Sequence, residues 1–260
     1  MDVLYEVMKI HRALRILAAG VIAFGGTIDS GRAQGIPGTV RQLLVSVAPG
    51  WDSSQGVLRL YERPDGSAPW RPVGDGKIPV LYGRNGLAWG LGILPVPSGL
   101  SKKEKDGRAP AGCFAIGTVY GYAGKLPKGS DFRYRQVSEW DAWPDDPQNP
   151  YYNQHVVIDP KQGIPDWFQK QKMRHGDPAY AWLVEIRHNS GPIRPGAGSA
   201  IFMHIRRGAN RPSAGCTTME EDNLVQVIRW LRTAMNPHYV LLPRKEYERF
   251  QTSWGLPDFP

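Results

Sequence analysis

The sequence is poor in the residues that several common kinds of site require. It has two cysteines and six histidines in 260 residues, and the histidines lack metal-ligand spacing, so we expect no metal and no other cofactor. No internal repeat or low-complexity segment is apparent. Helical periodicity is scarce, whereas 30 glycines and 23 prolines are spread along the chain. Length and composition therefore predict a single, mainly β domain of short strands and turns.

Only the N-terminal part of the chain contains a long apolar run. A basic region over residues 9–15 precedes an apolar run over residues 16–28, and small residues stand just before Gln34. The run is shorter than the roughly 20 residues that span a bilayer, and glycines interrupt it. We predict a signal peptide over residues 1–33, with a retained membrane anchor as the alternative, and hence a periplasmic or otherwise exported protein.

The two cysteines have different surroundings. In an exported protein they could form one disulfide, but Cys113 lies in the apolar run "APAGCFAIG", where cysteine is typical of a small core residue. Cys216 follows the small residues "PSAG", and helical spacing in "TTMEEDNLVQVIRWL" predicts a helix directly behind it. Because a helix N-terminus favours a thiolate, Cys216 is a candidate nucleophile, with the disulfide or a core position as alternatives.

A histidine precedes this cysteine by twelve residues. His204 ends the apolar run "GSAIFMH", which predicts a strand, and the loop to Cys216 is long enough to fold back. A nucleophilic thiol needs a base within hydrogen-bond reach, and an imidazole on a rigid strand meets that need. The spacing alone leaves the alternatives for Cys216 open.

Four separated segments resemble one known family. They are "LYGRNGLAWG" (81–90), "KKEKDGRAPAGCFAIG" (102–117), "DDPQNPYYNQ" (145–154) and "GSAIFMHIRRGANRPSAGCTTM" (198–219), and they resemble the YkuD-domain L,D-transpeptidases, in particular an exported branch with DGR-x-PAG and S-x-GC motifs. The resemblance implies a β-sandwich-like catalytic domain with few helices. It also implies Cys216 as nucleophile, His204 as base, and Gly215 and Ser213 as parts of the cysteine motif.

Two positions depart from the family pattern. Ala214 stands where the family commonly has histidine, and Thr218 stands where it has asparagine or arginine. The missing arginine removes a partner for a substrate carboxylate, so an arginine of the intervening loop is expected to take that role. We assign substrate binding to Arg206, Arg207, Arg211, Thr218, Tyr152 and Trp143.

The resemblance implies a cysteine-dependent acyltransferase of cell-wall biogenesis and cell shape. The expected reaction cross-links peptidoglycan stem peptides through a thioester and releases the terminal D-amino acid. An L,D-carboxypeptidase and a non-catalytic peptidoglycan-binding module are the alternatives. The net charge of +8 suits an anionic wall polymer. It would also suit nucleic acid, but the export signal and the Cys–His pair disfavour that partner.

The predicted organisation is a catalytic domain over residues 34–243 and a C-terminal tail over residues 244–260. Within the domain, residues 126–178 are unusually rich in tryptophan, tyrosine and aspartate, which predicts an ordered cap inserted over the cleft. Its aromatic side chains either contact substrate or form core; they are Trp140, Trp143, Tyr151 and Tyr152.

Overall fold

Short strands dominate the described part of the chain. The computed structural model describes residues 35–74 and 76–260, so the predicted signal peptide lies outside it. The strands are β1 (Gln42–Ala48), β2 (Gln55–Glu62), β3 (Arg71–Pro72), β4 (Ile78–Leu81), β5 (Leu87–Trp89), β6 (Ala109–Gly121), β7 (Tyr134–Gln136), β8 (Asp141–Ala142), β9 (Val156–Val157), β10 (Trp182–Ile186), β11 (Phe202–Ile205), β12 (Thr217–Met219) and β13 (His238–Pro243). The helices are α1 (Phe168–Gln171), α2 (Glu221–Trp230) and α3 (Arg244–Trp254).

Eight of these strands form one sheet that closes on itself. The order is β1-β13-β6-β10-β11-β12-β4-β2, and β2 also pairs with β1, which completes a barrel. The β1–β13 and β11–β12 pairs are parallel, and the other pairs of the ring are antiparallel. The predicted mainly β class with few helices is confirmed.

Continuous apolar runs explain the centre of the fold. Every residue of β1, "QLLVSVA", and of β13, "HYVLLP", is buried. Strands buried on both faces read as unbroken apolar runs, because neither face meets water. On α2, Leu224, Val227 and Ile228 recur at helical spacing and are buried in the same core. The sequence pattern therefore locates both the sheet centre and this helix.

Residues beyond β13 also contribute to the core. Tyr247 and Trp254 of α3 are buried, as are Leu256 and Phe259 after it. All four belong to the same apolar cluster as β1. At about 25 cal/mol per Å² of apolar surface removed from water, such aromatic side chains contribute substantially to stability. The C-terminal segment thus packs as part of the domain in this structure.

The helix predicted directly after Cys216 begins later than the sequence pattern indicates. Thr217–Met219 form β12, and α2 starts at Glu221. The residue at the N-cap of α2 is Glu220, and no side chain caps this N-terminus. Pairing with β11 outweighs the local helical preference, because Thr217 and Met219 bury their side chains in the barrel.

The aromatic segment predicted as a cap is ordered and lies between β6 and β10 in the chain. It contains β7, which adds to β6, the small β8–β9 sheet and α1. Asp141 anchors it, because this fully buried carboxylate accepts hydrogen bonds from Arg135 (2.5 Å) and from the Ser138 N–H (2.9 Å), and is 2.6 Å from His155 Nε2. Within the described residues, none of the helices has the length and apolar character needed to cross a bilayer.

Candidate active site

Strands β11 and β12 bring the predicted histidine and cysteine to one face of the sheet. His204 is opposite Thr218 in the parallel register. Successive strand residues alternate between faces, so Cys216, two residues before Thr218, shares the face of His204. Cys216 packs against the same small apolar cluster as Tyr180, whose ring meets His204 edge-on. The alternate residues Met203 and Thr217 point into the core.

The His204 imidazole is held in one tautomer. Its Nδ1 lies 2.8 Å from the Ile205 carbonyl oxygen, which only accepts hydrogen bonds, so Nδ1 carries the proton and Nε2 has a free lone pair. Burial lowers the pKa of His204 to about 4, with a smaller contribution from the Arg207 charge and against the opposing effect of the Ile205 carbonyl. At neutral pH the ring is therefore uncharged and suited to accept a proton.

The Cys216 thiol is also neutral in the resting structure. Burial raises its pKa, although the Phe202 N–H and the positive charges of Lys102 and Arg207 act in the opposite direction. The expected thiolate at a helix N-terminus is therefore wrong, because α2 begins only at Glu221. The thiol donates to the Ala200 carbonyl at 3.5 Å. Among the described residues the thiol has no hydrogen bond to His204, and in structures without substrate catalytic hydrogen bonds are often long and tighten only on binding.

Ser213 and Gly215 shape the turn that presents Cys216. The Ser213 hydroxyl donates to the Cys216 carbonyl (2.6 Å) and accepts the Gly215 N–H (3.0 Å). Gly215 has φ of +155°, and a Cβ there would lie 2.9 Å from the Arg108 carbonyl oxygen. Glycine is required because the backbone of the DGR segment lies directly behind the turn. Two of the four predicted motif residues, Ser213 and Gly215, thus shape the turn that leads into Cys216.

The alanine whose carbonyl accepts the hydrogen bond of the Cys216 thiol has a strained backbone. Ala200 has φ of +52°, which is unfavourable for a residue with a Cβ. Its N–H donates to Asn153 Oδ1 (3.0 Å), and Asn153 Nδ2 donates to the carbonyls of His188 (3.1 Å) and Asn189 (2.8 Å). Asn153 belongs to the cap. The cap therefore fixes the backbone that contacts the Cys216 thiol.

Replacing Asn153 with aspartate should lower both stability and activity. Aspartate has the size of asparagine and keeps the oxygen that accepts the Ala200 N–H. Its second oxygen replaces the amide group, so the buried carbonyls of His188 and Asn189 lose their donor and face a carboxylate. A buried group left unsatisfied costs about 1–3 kcal/mol, so we expect a loss of that order and a roughly tenfold fall in kcat/KM. Thermal unfolding and steady-state kinetics measure the two effects.

Asn149→Asp is the matched control in the same cap. Its Oδ1 only accepts, from the Tyr151 N–H at 2.9 Å, and a carboxylate preserves that contact. We expect this variant to unfold and react like the unaltered protein. Equal effects of the two substitutions would contradict the positioning role of Asn153.

Two cavities adjoin Cys216 and His204. One, of about 150 Å³, is lined by Trp143, Lys170, Gln171, Lys172, Met173, His175, Tyr180, Leu183, Ala200, Phe202 and Cys216. The other, of about 200 Å³, is lined by Arg84, His204, Arg207, Arg211, Pro212, Ser213, Ala214 and Thr218. Neither lining contains a carboxylate, whereas both contain cationic side chains. The geometry thus offers a thiol and a base with an anion-attracting cavity on each side.

The predicted substrate-binding residues lie in different places. Arg207, Arg211 and Thr218 line the His204 cavity, and the buried Thr218 hydroxyl has no partner among the described residues. Arg206 pairs with Glu220 and lines a separate cavity. Trp143 lines the Cys216 cavity.

The remaining predicted residue, Tyr152, faces neither cavity. It is buried, and its hydroxyl donates to Glu104 of the DGR segment.

Sequence reasoning missed two residues that line the cavities. Arg84 reaches the His204 cavity from the loop after β4, where its N–H donates to the Ser213 carbonyl (2.9 Å). Tyr180 meets His204 edge-on at 5.3 Å, with the Arg207 guanidinium 4.9 Å above its ring.

The two cysteines are not bonded to each other. Both are free thiols; Cys113 is fully buried on β6, opposite Val240 of β13. Burial raises the pKa of the Cys113 thiol far above its usual range. The disulfide alternative is therefore wrong, and Cys113 is a core residue. No group of three or more metal-binding side chains occurs within the described ranges.

Fold and site together define a closed β-sheet protein with a cysteine and a neutral histidine on one face of adjacent strands. The family model of the YkuD L,D-transpeptidase catalytic domain matches residues 54–240. The match covers more than half of the chain, so this protein belongs to the YkuD L,D-transpeptidase family. Neither the curated proteins nor the solved structures contain a match. The family acts on peptidoglycan stem peptides.

Proposed function

We propose that this protein is a peptidoglycan L,D-transpeptidase that cross-links stem peptides through a thioester on Cys216. The observation that carries the proposal is the shared face of Cys216 and His204, with a free Nε2 on the histidine. A neutral thiol beside a neutral imidazole is the resting state of a nucleophile that is deprotonated as it attacks.

The reaction follows from acyl-transfer chemistry. His204 Nε2 takes the thiol proton while Cys216 Sγ attacks the carbonyl between stem residue three and the terminal D-Ala. The Cys216 N–H holds the developing oxyanion, because the Gly215 N–H is already donated to Ser213. The imidazolium gives its proton to the departing D-Ala amine. His204 then deprotonates the amine of a second stem, which attacks the thioester and restores the thiol.

The arginine-lined cavity suits the free carboxylate of a stem peptide. Arg84 and Arg211 form no ion pair with any described residue, whereas Arg207 is paired with Asp177 (2.5 Å). The unpartnered Thr218 hydroxyl adds a neutral donor. Guanidinium groups bind carboxylates through paired, charge-assisted hydrogen bonds, so this cavity replaces the arginine that the cysteine motif lacks.

Replacing Arg84 with glutamine should lower kcat/KM for a tetrapeptide stem by roughly 10- to 100-fold. A hydrogen bond to a charged group contributes about 1.5–3 kcal/mol, which corresponds to that range. The same variant should differ little from the unaltered protein on a stem whose terminal carboxylate is a carboxamide. Arg249→Gln, on the remote helix α3, removes the same charge and should leave both rates unchanged. An equal loss on both substrates would rule out carboxylate recognition by Arg84.

Mass spectrometry of a purified disaccharide-tetrapeptide incubated with the protein tests the proposed reaction. Dimers that lack one D-Ala are the expected product, and their fragmentation identifies the linked positions. Tripeptide without dimer would make the protein an L,D-carboxypeptidase. Unchanged substrate that nevertheless binds would support a wall-binding module.

The proposed substrate also implies export, since peptidoglycan lies outside the cytoplasm, and removal of residues 1–33 is part of the proposal.

A further inference from the structure

A third cavity lies in the cap, beside the one that contains Cys216. It measures about 360 Å³ and is lined by Glu139, Trp140, Phe168, Gln169, Lys172, Arg174 and Gly176. Lys172 lines both this cavity and the Cys216 cavity. Helix α1 and the residue after it thus form the wall between the two. The volume falls within the roughly 300–1,000 Å³ that is typical of small-molecule sites.

The aromatic wall of this cavity is rigid. Trp140 is half-buried and stacks on the fully buried Phe168, with ring centroids 5.8 Å apart and planes inclined by 19°. The Trp140 backbone is fixed on both sides, since its N–H donates to the Ser138 hydroxyl (3.2 Å) and its carbonyl accepts the Ile158 N–H (2.9 Å). A half-exposed indole held this way presents a flat apolar face to a ligand.

The polar lining offers both donors and acceptors. Glu139, Gln169 and Lys172 project around the indole, and none of the three side chains forms a hydrogen bond or ion pair with another described residue. The Arg174 guanidinium is fixed by the Val137 carbonyl (2.7 Å) and lies over Tyr122. Glu139 would repel a simple anion, and Lys172 and Arg174 would repel a simple cation. A neutral ligand with hydroxyl and amide groups and one apolar face fits the set.

We propose that this cavity is a glycan subsite that binds an N-acetylated amino sugar of the peptidoglycan strand. The inference rests on the proposed function, because that reaction supplies a substrate with a sugar at one end of the stem. The lactyl group and three stem residues separate the sugar from the scissile carbonyl, and three extended residues span roughly 10 Å. The two cavities share Lys172 and are therefore adjacent, as a substrate of such short reach requires. The subsite makes the protein prefer stems that are still attached to the glycan.

Disaccharide binding tests the subsite without any turnover. The probe is the peptide-free N-acetylglucosaminyl-N-acetylmuramic acid disaccharide, whose lactyl carboxyl is capped as the N-methylamide so that the sugar is neutral, as it is in the polymer. It is titrated into the Cys216→Ala protein and followed by the indole N–H signals in NMR. We expect the Trp140 signal to shift saturably. In the Cys216→Ala background, Gln169→Ala should weaken binding and Tyr151→Ala should not, since Tyr151 is an exposed cap aromatic outside this cavity. An unshifted Trp140 signal at millimolar sugar would overturn the subsite.

Turnover gives the second readout. We expect kcat/KM for the disaccharide-tetrapeptide to exceed that for the free tetrapeptide by about tenfold, which corresponds to one good contact. Trp140→Ala should reduce this ratio towards one by slowing only the disaccharide substrate, and Gln169→Ala should do so if the tryptophan variant fails to fold. A ratio of one in the unaltered protein contradicts the proposal. If neither substrate reacts, the proposed function fails, while the NMR titration still decides the subsite.

Discussion

The Cys216→Ala protein should release no D-Ala and form no dimer from a tetrapeptide stem, a loss of about 10³-fold or more. The nucleophile supplies the covalent step itself, so no neighbouring group replaces it. Intact-mass measurement of the unaltered protein during turnover should show an adduct equal to the stem minus D-Ala, and this adduct should be absent from the variant. Folding should be unaffected, since alanine removes only a partly buried sulfur.

Cys113→Ala is the matched control for this experiment. It removes the other thiol, which lies in the barrel core, so we expect full adduct formation with a small loss of thermal stability. Dimers formed by the Cys216→Ala protein would refute a thioester at this position. Loss of the adduct in the Cys113→Ala protein would show that Cys113 has a role beyond packing in the core.

Replacing His204 with glutamine should lower kcat/KM by about 10²–10⁴-fold, the usual contribution of a general base. The pH profile of the unaltered protein carries further information. Burial lowers the pKa of His204 to about 4, so the neutral base persists well below the pH at which a free imidazole gains a proton. We therefore expect kcat/KM to stay level from pH 7 to pH 5 and to fall only near pH 4.

His238→Gln provides the control for the histidine. His238 is also buried with Nδ1 bonded to a main-chain carbonyl, that of Asn236 at 2.9 Å, but it lies on β13 away from the cavities. We expect its activity and pH profile to match those of the unaltered protein. A fall in the rate between pH 7 and pH 6 in the unaltered protein would instead indicate a solvent-accessible imidazole.

Much of the fold could be predicted because its central strands are continuous apolar runs, which can be recognised in the sequence without knowledge of distant contacts. The apolar run "QLLVSVA" forms β1, "PHYVLLP" contains β13, and "RKEYERF" begins α3. The region after Cys216 was harder, since the helical spacing of "TTMEEDNL" begins before the helix does. Residues 217–219 form a strand only because β11 pairs with them. That pairing joins distant segments and leaves no local signal.

Cys216 and His204 could be selected as candidates from their motif, but their surroundings could not be predicted. Arg84 reaches the His204 cavity because Gly83 bridges to Ser213, a contact across 130 residues of chain. Asn153 acts through Ala200, and nothing in the sequence near either residue indicates the link. The neutral state of Cys216 follows from burial, which depends on the whole fold.

The pairing of β1 with β13 determines when the barrel can close during synthesis of the chain. β1 is the first strand of the barrel and β13 the last, and they lie side by side at its centre. A ribosome or a translocation channel delivers residues 42–48 long before residues 238–243, so the barrel stays open until almost the whole chain has emerged. Contacts so distant in sequence form slowly. During that interval the apolar edge of β1 is without its partner, and the emerging chain needs protection from aggregation until its final strand arrives.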